Sequence, residues 1–148
     1  MALPPLDDRS IVIGAHADDW RGAVTLAADA LTNSGAAQPG YGREMIRMIE
    51  EHGPYVVIAP GLALAHARPG PLVVHDGLAI VTLAEGVRFG HPHNDPVRVV
   101  LGLAIADPGS HIAAVAALAN VFNDSDAIEE LAAASSAAEV RQILGMTP

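Results

Sequence analysis

The run Val97-Arg98-Val99-Val100-Leu101-Gly102-Leu103-Ala104-Ile105-Ala106 is apolar almost throughout. Such a run is typical of a central strand covered on both faces, because a strand with one wet face alternates apolar and polar residues. The segment Asp107-Pro108-Gly109-Ser110 follows as a turn, and Ser110 is a good N-cap for a helix from His111 to Phe122. The sequence therefore predicts a buried strand that leads directly into a helix.

Working outward from this strand, further short apolar runs predict strands, and Asp76-Gly77 predicts a hairpin turn between two of them. These runs are Ser10–Gly14, Tyr55–Ala59, Leu72–Val74 and Leu78–Leu83, and the segment Pro60–Pro69 is predicted as a loop. The remaining helices are predicted from caps and periodicity: Val24–Leu31 behind Asp18 and Asp19, one from Pro39 to Gly53-Pro54, one from Asn123–Asp126, and one from Ser136 and Glu139 to near Gly145.

The order is one strand, two helices, about three strands and three helices. This order predicts an α/β fold, a three-layer α/β/α sandwich around a mixed sheet, with the order roughly β-α2-β3-α3. No internal repeat or linker divides the 148 residues, so we expect one domain.

Composition excludes several classes of function. The formal net charge is −9, with 17 acidic against 8 Lys and Arg residues, which argues against a nucleic-acid partner. The chain has no cysteine, so disulfides, thiolate metal sites and a cysteine nucleophile are excluded. No apolar run reaches the roughly 20 residues of a membrane helix. We expect a cytoplasmic protein without direct membrane insertion.

Seven histidines in a chain without cysteine are the chemically distinctive feature. Histidine can act near neutral pH as a base, a metal ligand or a phosphoryl acceptor. His66 follows a predicted strand and a Pro-Gly loop, where rigid scaffolds often present catalytic side chains. His111 follows the predicted cap Ser110, where the helix dipole disfavours imidazolium and free N–H groups can receive phosphate. From position alone, both also fit ordinary surface histidines.

His91 and His93 lie in the segment His91-Pro92-His93-Asn94-Asp95-Pro96. A His-x-His pair beside Asp95 is a candidate site for zinc or nickel, which accept imidazole and carboxylate ligands. The proline residues make the segment an extended loop, and histidines in such loops are more often simply exposed. We therefore expect no bound metal.

The segment Glu51-His52-Gly53-Pro54-Tyr55-Val56-Val57-Ile58-Ala59-Pro60-Gly61-Leu62-Ala63-Leu64-Ala65-His66-Ala67-Arg68-Pro69 resembles the active-site segment of enzyme IIA of the bacterial sugar phosphotransferase system (PTS). The resemblance is to the mannitol/fructose-type superfamily, and within it to the ascorbate-type branch. It extends from about Trp20 to Gly145. Further matching segments are Leu78–Leu83, Phe89–His91, Asn94–Val97, Asp107–His111, Asn120–Asp124 and Glu139-Val140.

The resemblance implies a phosphohistidine relay and a single EIIA type-2 domain over residues 1–148. The phosphocarrier protein HPr would pass its phosphoryl group to His66, which would pass it to a cysteine of enzyme IIB for sugar uptake through enzyme IIC. His111 would hold the phosphate, and Arg68 is a candidate to offset its charge. The sugar would be ascorbate or a relative. No cofactor is implied, and the oligomeric state stays open, a homodimer included.

Two positions depart from the family pattern. Ala65 stands where relatives usually have proline directly before the histidine, and Glu50 stands where the mannitol and nitrogen-regulatory branches carry arginine. Neither departure removes a group that the chemistry needs. The alternative function is a regulatory EIIA-like module that docks on other proteins according to the phosphorylation of His66.

Overall fold

The computed structural model describes residues 3–123 and 126–146. The strands are β1 Leu6–Ala15, β2 Val57–Ala59, β3 Leu62–His66, β4 Gly77–Val87 and β5 Val97–Ala104. The helices are α1 Trp20–Asn33, α2 Tyr41–His52, α3 Pro108–Val121, α4 Asp126–Ala133 and α5 Ala137–Ile143. None of the helices in these two ranges is long and apolar enough to cross a bilayer.

The strands form one mixed sheet in the order β1-β4-β5-β3-β2. The central strand is β5, which pairs antiparallel with β4 and parallel with β3. The outer pairs are β1 with β4, which is parallel, and β2 with β3, which is antiparallel. All residues of β5 except Arg98 are buried, so the prediction of a central strand covered on both faces is confirmed.

Helices cover both faces of the sheet. Alternate residues of β5 serve opposite layers, as the period of two in a strand requires. Val100 packs in a core with α1 and α2, whereas Leu101 and Leu103 pack in a second core with α3, α4 and α5. The predicted three-layer α/β/α sandwich is confirmed.

Two details of the strand prediction are wrong. Leu62–His66 forms β3, although the segment Pro60–Pro69 was expected to be a loop throughout. The expected hairpin at Asp76-Gly77 is absent, because Leu72–Val74 forms no named strand and Val73 makes only an isolated bridge to Ala37. Instead β4 pairs antiparallel with β5. Four strands, not about three, therefore lie between α2 and α3 in the described chain.

Three of the predicted helix boundaries are confirmed. The Asp19 carboxylate accepts a hydrogen bond from the Gly22 amide at 2.8 Å and caps α1. Gly53 ends α2 with a φ of 83°, a conformation that glycine adopts without steric cost. The Ser136 hydroxyl accepts from the Glu139 amide at 3.2 Å at the start of α5. In the predicted helix start Asn123–Asp126, residues 124 and 125 lie outside the described ranges.

The predicted N-cap of α3 is wrong. Asp107 is the cap, and its carboxylate accepts from the Ser110 amide at 2.9 Å. Pro108 takes the first helical position, where its missing N–H leaves no helical bond unmade. His111 therefore lies one turn further into the helix than expected, and its amide donates to the Asp107 carbonyl at 2.9 Å.

Gly102 lets α1 approach the central strand closely. A Cβ there would lie 3.2 Å from the Ala27 carbonyl oxygen and 3.3 Å from the Ala27 Cβ. We expect Gly102→Val to lower the free energy of unfolding by about 2 kcal/mol in urea denaturation, because overpacking forces the helix off the sheet. Ala84→Val, at an exposed position of β4, is the matched control and should change it by less than about 0.5 kcal/mol. Unchanged stability of Gly102→Val would contradict the close packing.

Candidate functional site

His66 and His111 meet at one edge of the sheet. His66 is the last residue of β3 and lies opposite Leu103 of β5 in the parallel register. Because parallel strands end at the same edge, the chain that leaves β5 runs past His66 before it enters α3. The two imidazole rings have centroids 5.1 Å apart and are inclined by 50°. The structure thus brings together the two histidines that the sequence singled out.

A backbone hydrogen bond fixes the orientation of the His66 ring. Its Nδ1 lies 2.9 Å from the Leu64 carbonyl oxygen, two residues earlier in the same strand. A carbonyl can only accept, so this contact assigns the ring proton to Nδ1 and leaves a lone pair on Nε2. Burial lowers the pKa of His66, and the Leu64 hydrogen bond only partly opposes this effect. The ring is therefore a neutral nucleophile near pH 7, with Nε2 as its free atom.

His111 presents a buried nitrogen without a partner. Its Nε2 is inaccessible to solvent and makes no hydrogen bond with any described residue. Burial lowers the pKa of His111, and the neighbouring His66 lowers it further. A buried polar atom without a partner costs free energy, so this nitrogen gains when a polar group binds beside it. The start of α3 does not offer the free N–H groups that the sequence predicted for a phosphate, because Pro108 has none, and the amides of Ser110 and His111 donate to the carboxylate and carbonyl of Asp107.

Tyr55 forms a further side of the site, which sequence reasoning had used only as part of a signature. Its ring meets the His66 ring edge-on, with centroids 5.8 Å apart and an angle of 90°. Partial burial raises the pKa of Tyr55, and the positive charge of Arg68 acts in the opposite direction. Arg68 is exposed and makes no ion pair among the residues described, so its charge is available on this side of His66.

The loop that contains His91 and His93 uses its polar groups to hold its own backbone. Nδ1 of His91 accepts from the amides of His93 and Asn94 at 3.1 and 3.0 Å. The Asp95 carboxylate accepts from three amides, those of Phe89, Gly90 and His91. Across residues 3–123 and 126–146, no group of three or more His, Cys, Asp or Glu side chains is arranged to hold a metal ion. The geometry gives these residues a structural role.

Comparison with known proteins agrees with the fold. The family model for the phosphoenolpyruvate-dependent sugar phosphotransferase system, EIIA 2, matches residues 5–146. The chain is thus a phosphotransferase component. More particularly, it belongs to the EIIA 2 family of that system.

Relatives and solved structures support this assignment. The ascorbate-specific PTS system EIIA component of Shigella boydii is 34% identical over 142 residues, which cover 95% of this chain and 92% of the relative. The crystal structure of a putative PTS IIA domain from Streptococcus pyogenes has a TM-score of 0.84 at 36% identity, covering 93% of this chain and 89% of that chain. Enzyme IIAMTL of Escherichia coli, solved in complex with phosphorylated enzyme IIBMTL, also has a TM-score of 0.84, at 27% identity, covering 95% and 97%.

The lowered pKa values of His66 and His111 predict how acid affects stability. Both rings are harder to protonate in the folded chain than in the unfolded one, where the ordinary value is 6.5. Their contribution to stability is therefore complete above about pH 6.5 and is lost as the pH falls through the lowered native values. NMR titration of the two Hε1 signals should give native pKa values below 6.5.

The double variant His66→Gln/His111→Gln tests the same linkage through stability. It should flatten the decline in the free energy of unfolding below about pH 6.5. A native pKa at or above the ordinary value for both rings, or an unchanged pH dependence in the double variant, would contradict the neutral pair.

Proposed function

We propose that Nε2 of His66 accepts a phosphoryl group from the phosphocarrier protein HPr and passes it to enzyme IIB. The observation that carries this proposal is the pairing of two nitrogens. Nε2 of His66 has a free lone pair because Nδ1 is held by Leu64, and the buried Nε2 of His111 has no hydrogen-bond partner in the described chain. The ring centroids are 5.1 Å apart, which leaves both rings able to contact one phosphoryl group.

The chemistry needs little more than position and charge. The lone pair on Nε2 of His66 attacks phosphorus while the bond from phosphorus to the carrier breaks, and the reverse step delivers the group to the acceptor. Nε2–H of His111 donates to a phosphoryl oxygen, and the Arg68 guanidinium offsets the negative charge. Phosphoryl transfer depends chiefly on such positioning and electrostatic stabilisation. No cofactor enters the proposed reaction.

The relatives support enzyme IIB as the proposed acceptor and ascorbate as the proposed sugar. The Escherichia coli enzyme IIAMTL was solved with phosphorylated enzyme IIBMTL, and the Shigella boydii relative is ascorbate-specific. By analogy, this chain would act in the cytoplasm and pass phosphoryl groups to an enzyme IIB. Through that enzyme it would supply an enzyme IIC that takes up ascorbate or a related sugar. We infer that residues 1–148 act as one domain. The histidine pair lies within one chain, so the proposed transfer needs no residue from a second copy, and a homodimer is not required for it.

Acid-labile labelling tests the acceptor. Incubation with phosphoenolpyruvate, enzyme I and HPr should place one phosphoryl group on the chain, and His66→Ala should take up none because its acceptor nitrogen is gone. His75→Ala is the matched control, since His75 is exposed and its ring nitrogen contacts only the neighbouring Asp76 carbonyl. It should label fully. Label on a folded His66→Ala protein, or none on the unaltered chain, would refute the proposed acceptor.

The proposed role of His111 makes a different prediction. His111→Ala keeps the acceptor but loses a donor to the phosphoryl oxygens, so we expect the label to form about 100-fold more slowly. Single-turnover transfer from phosphorylated HPr measures this rate. His93→Ala serves as the control, because the His93 side chain is exposed in another loop. A rate for His111→Ala equal to that of the unaltered chain would remove His111 from the site.

A further inference from the structure

Tyr41, the first residue of α2, places a hydroxyl beneath the sheet edge that carries His66. Tyr41 is only 2% exposed. Its hydroxyl lies 2.9 Å from the Leu103 carbonyl oxygen and 3.4 Å from the Ala67 carbonyl oxygen. The hydroxyl has one proton, and the shorter contact with Leu103 is the better hydrogen bond. The same oxygen accepts from the Ala67 amide at 3.2 Å.

These two backbone partners flank His66. Ala67 is the next residue in the chain, and Leu103 is the residue that lies opposite His66 in β5. The pairing of β3 with β5 ends at His66 and Leu103, so ladder hydrogen bonds between the two strands do not hold the backbone segments beyond these residues. The Tyr41 hydroxyl links the Ala67 amide to the Leu103 carbonyl where the regular ladder stops.

Side-chain packing alone would hold the backbone around Ala67 only loosely. A groove of about 270 Å³ lies between α2 and residues 67–72, and Tyr41, Met48, Ala67 and Leu72 are among the residues that line it. Ala67 is buried, but its methyl group gives the backbone after His66 only a small packing surface against a shift toward the groove. The hydrogen bonds of the Tyr41 hydroxyl oppose that shift directly.

The Tyr41 hydroxyl also affects the position of His111, indirectly, through the backbone that connects β5 to α3. Leu103 is the last residue but one of β5, and the chain then continues through Ile105 to the cap Asp107 and into α3. A bond at the Leu103 carbonyl therefore steadies the strand that leads to His111, while the bond at Ala67 steadies the strand that ends in His66. Sequence reasoning missed this link because it depends on contacts 26 and 62 residues apart.

We propose that Tyr41 is a positioning residue for the phosphoryl transfer, holding the backbone at Ala67 and Leu103 so that the His66 ring keeps its place beside His111. This inference rests on the proposed function of His66. Tyr41 does not touch the phosphoryl group and acts only through the two strand ends. Displacements of about 1 Å cost group-transfer reactions up to about 100-fold, so the loss of one fixed hydrogen bond should be measurable in the rate.

Tyr41→Phe is the informative variant because it keeps the ring in the core and removes only the hydroxyl. Thr82→Val is its matched control: Thr82 is also buried, and its Oγ1 accepts from the Gly14 amide at 2.9 Å, between β1 and β4. Each variant leaves one backbone amide without its hydroxyl partner. Tyr41→Phe also removes the donor to the Leu103 carbonyl, so urea denaturation should first show that both variants are folded. Only Tyr41→Phe changes the backbone contacts beside the histidine pair.

The experiment is single-turnover phosphoryl transfer from phosphorylated HPr at a series of donor concentrations. We expect Tyr41→Phe to reach full labelling with a maximal rate at least about tenfold lower and a half-saturating donor concentration within about twofold of the unaltered chain. Thr82→Val should match the unaltered chain in both. NMR titration should show a His66 pKa closer to its ordinary value in Tyr41→Phe alone, because a less tightly held ring is better solvated.

The outcomes separate the two proposals. A normal maximal rate for Tyr41→Phe, an equal loss in Thr82→Val, or a change confined to the half-saturating concentration would each overturn the positioning role while the labelled chain upholds the transfer function. Absence of label on the unaltered chain would overturn the transfer function, and the role of Tyr41 in it would fall as well.

Discussion

The parallel pairing of β3 with β5 is the interaction on which the site depends. Residues Leu62–His66 lie opposite residues Val99–Leu103 without a register shift. Ala63 and Ala65 face the core under α1 and α2, whereas Leu62 and Leu64 face the core under α3 to α5. A slip of one residue would exchange small side chains for large ones on both faces, so packing fixes the register and with it the place of His66.

The features that sequence predicted well are those set by local chemistry. The apolar run Val97–Ala106 contains β5, the Asp19 carboxylate caps α1, and Gly53 ends α2 through its positive φ. The resemblance selected His66 and His111, and in the structure their ring centroids are 5.1 Å apart. The prediction for the start of α3 was wrong because Asp107 and Ser110 are both good caps. The fixed φ and absent N–H of Pro108 favour Asp107, a signal that was present in the sequence.

The features that sequence missed depend on distant pairing. The strand β3 is short and lies between Pro60-Gly61 and Pro69, which signal a loop, and it forms a strand because β5 lies beside it. Tyr41 and Tyr55 join the site through residues on other elements. A single sequence contains no record of those distances.

The two departures from the family pattern also have a structural basis. Ala65 is fully buried and lies opposite Gly102 in the ladder, so strand pairing constrains the backbone where the resemblance leads one to expect proline. Glu50 pairs with Arg21 at 2.9 Å, which links α2 to α1 at the surface. Neither residue takes part in the histidine pair.

The contact between Nδ1 of His66 and the Leu64 carbonyl has a consequence for the fate of a bound phosphoryl group. A ring that carries phosphorus on Nε2 and keeps its proton on Nδ1 is a cation, and the carbonyl oxygen stabilises that proton. When phosphorus leaves, the ring departs as neutral imidazole and needs no proton from solvent. On the proposed acceptor, one backbone carbonyl would thus keep the phosphorus–nitrogen bond easy to break in either direction.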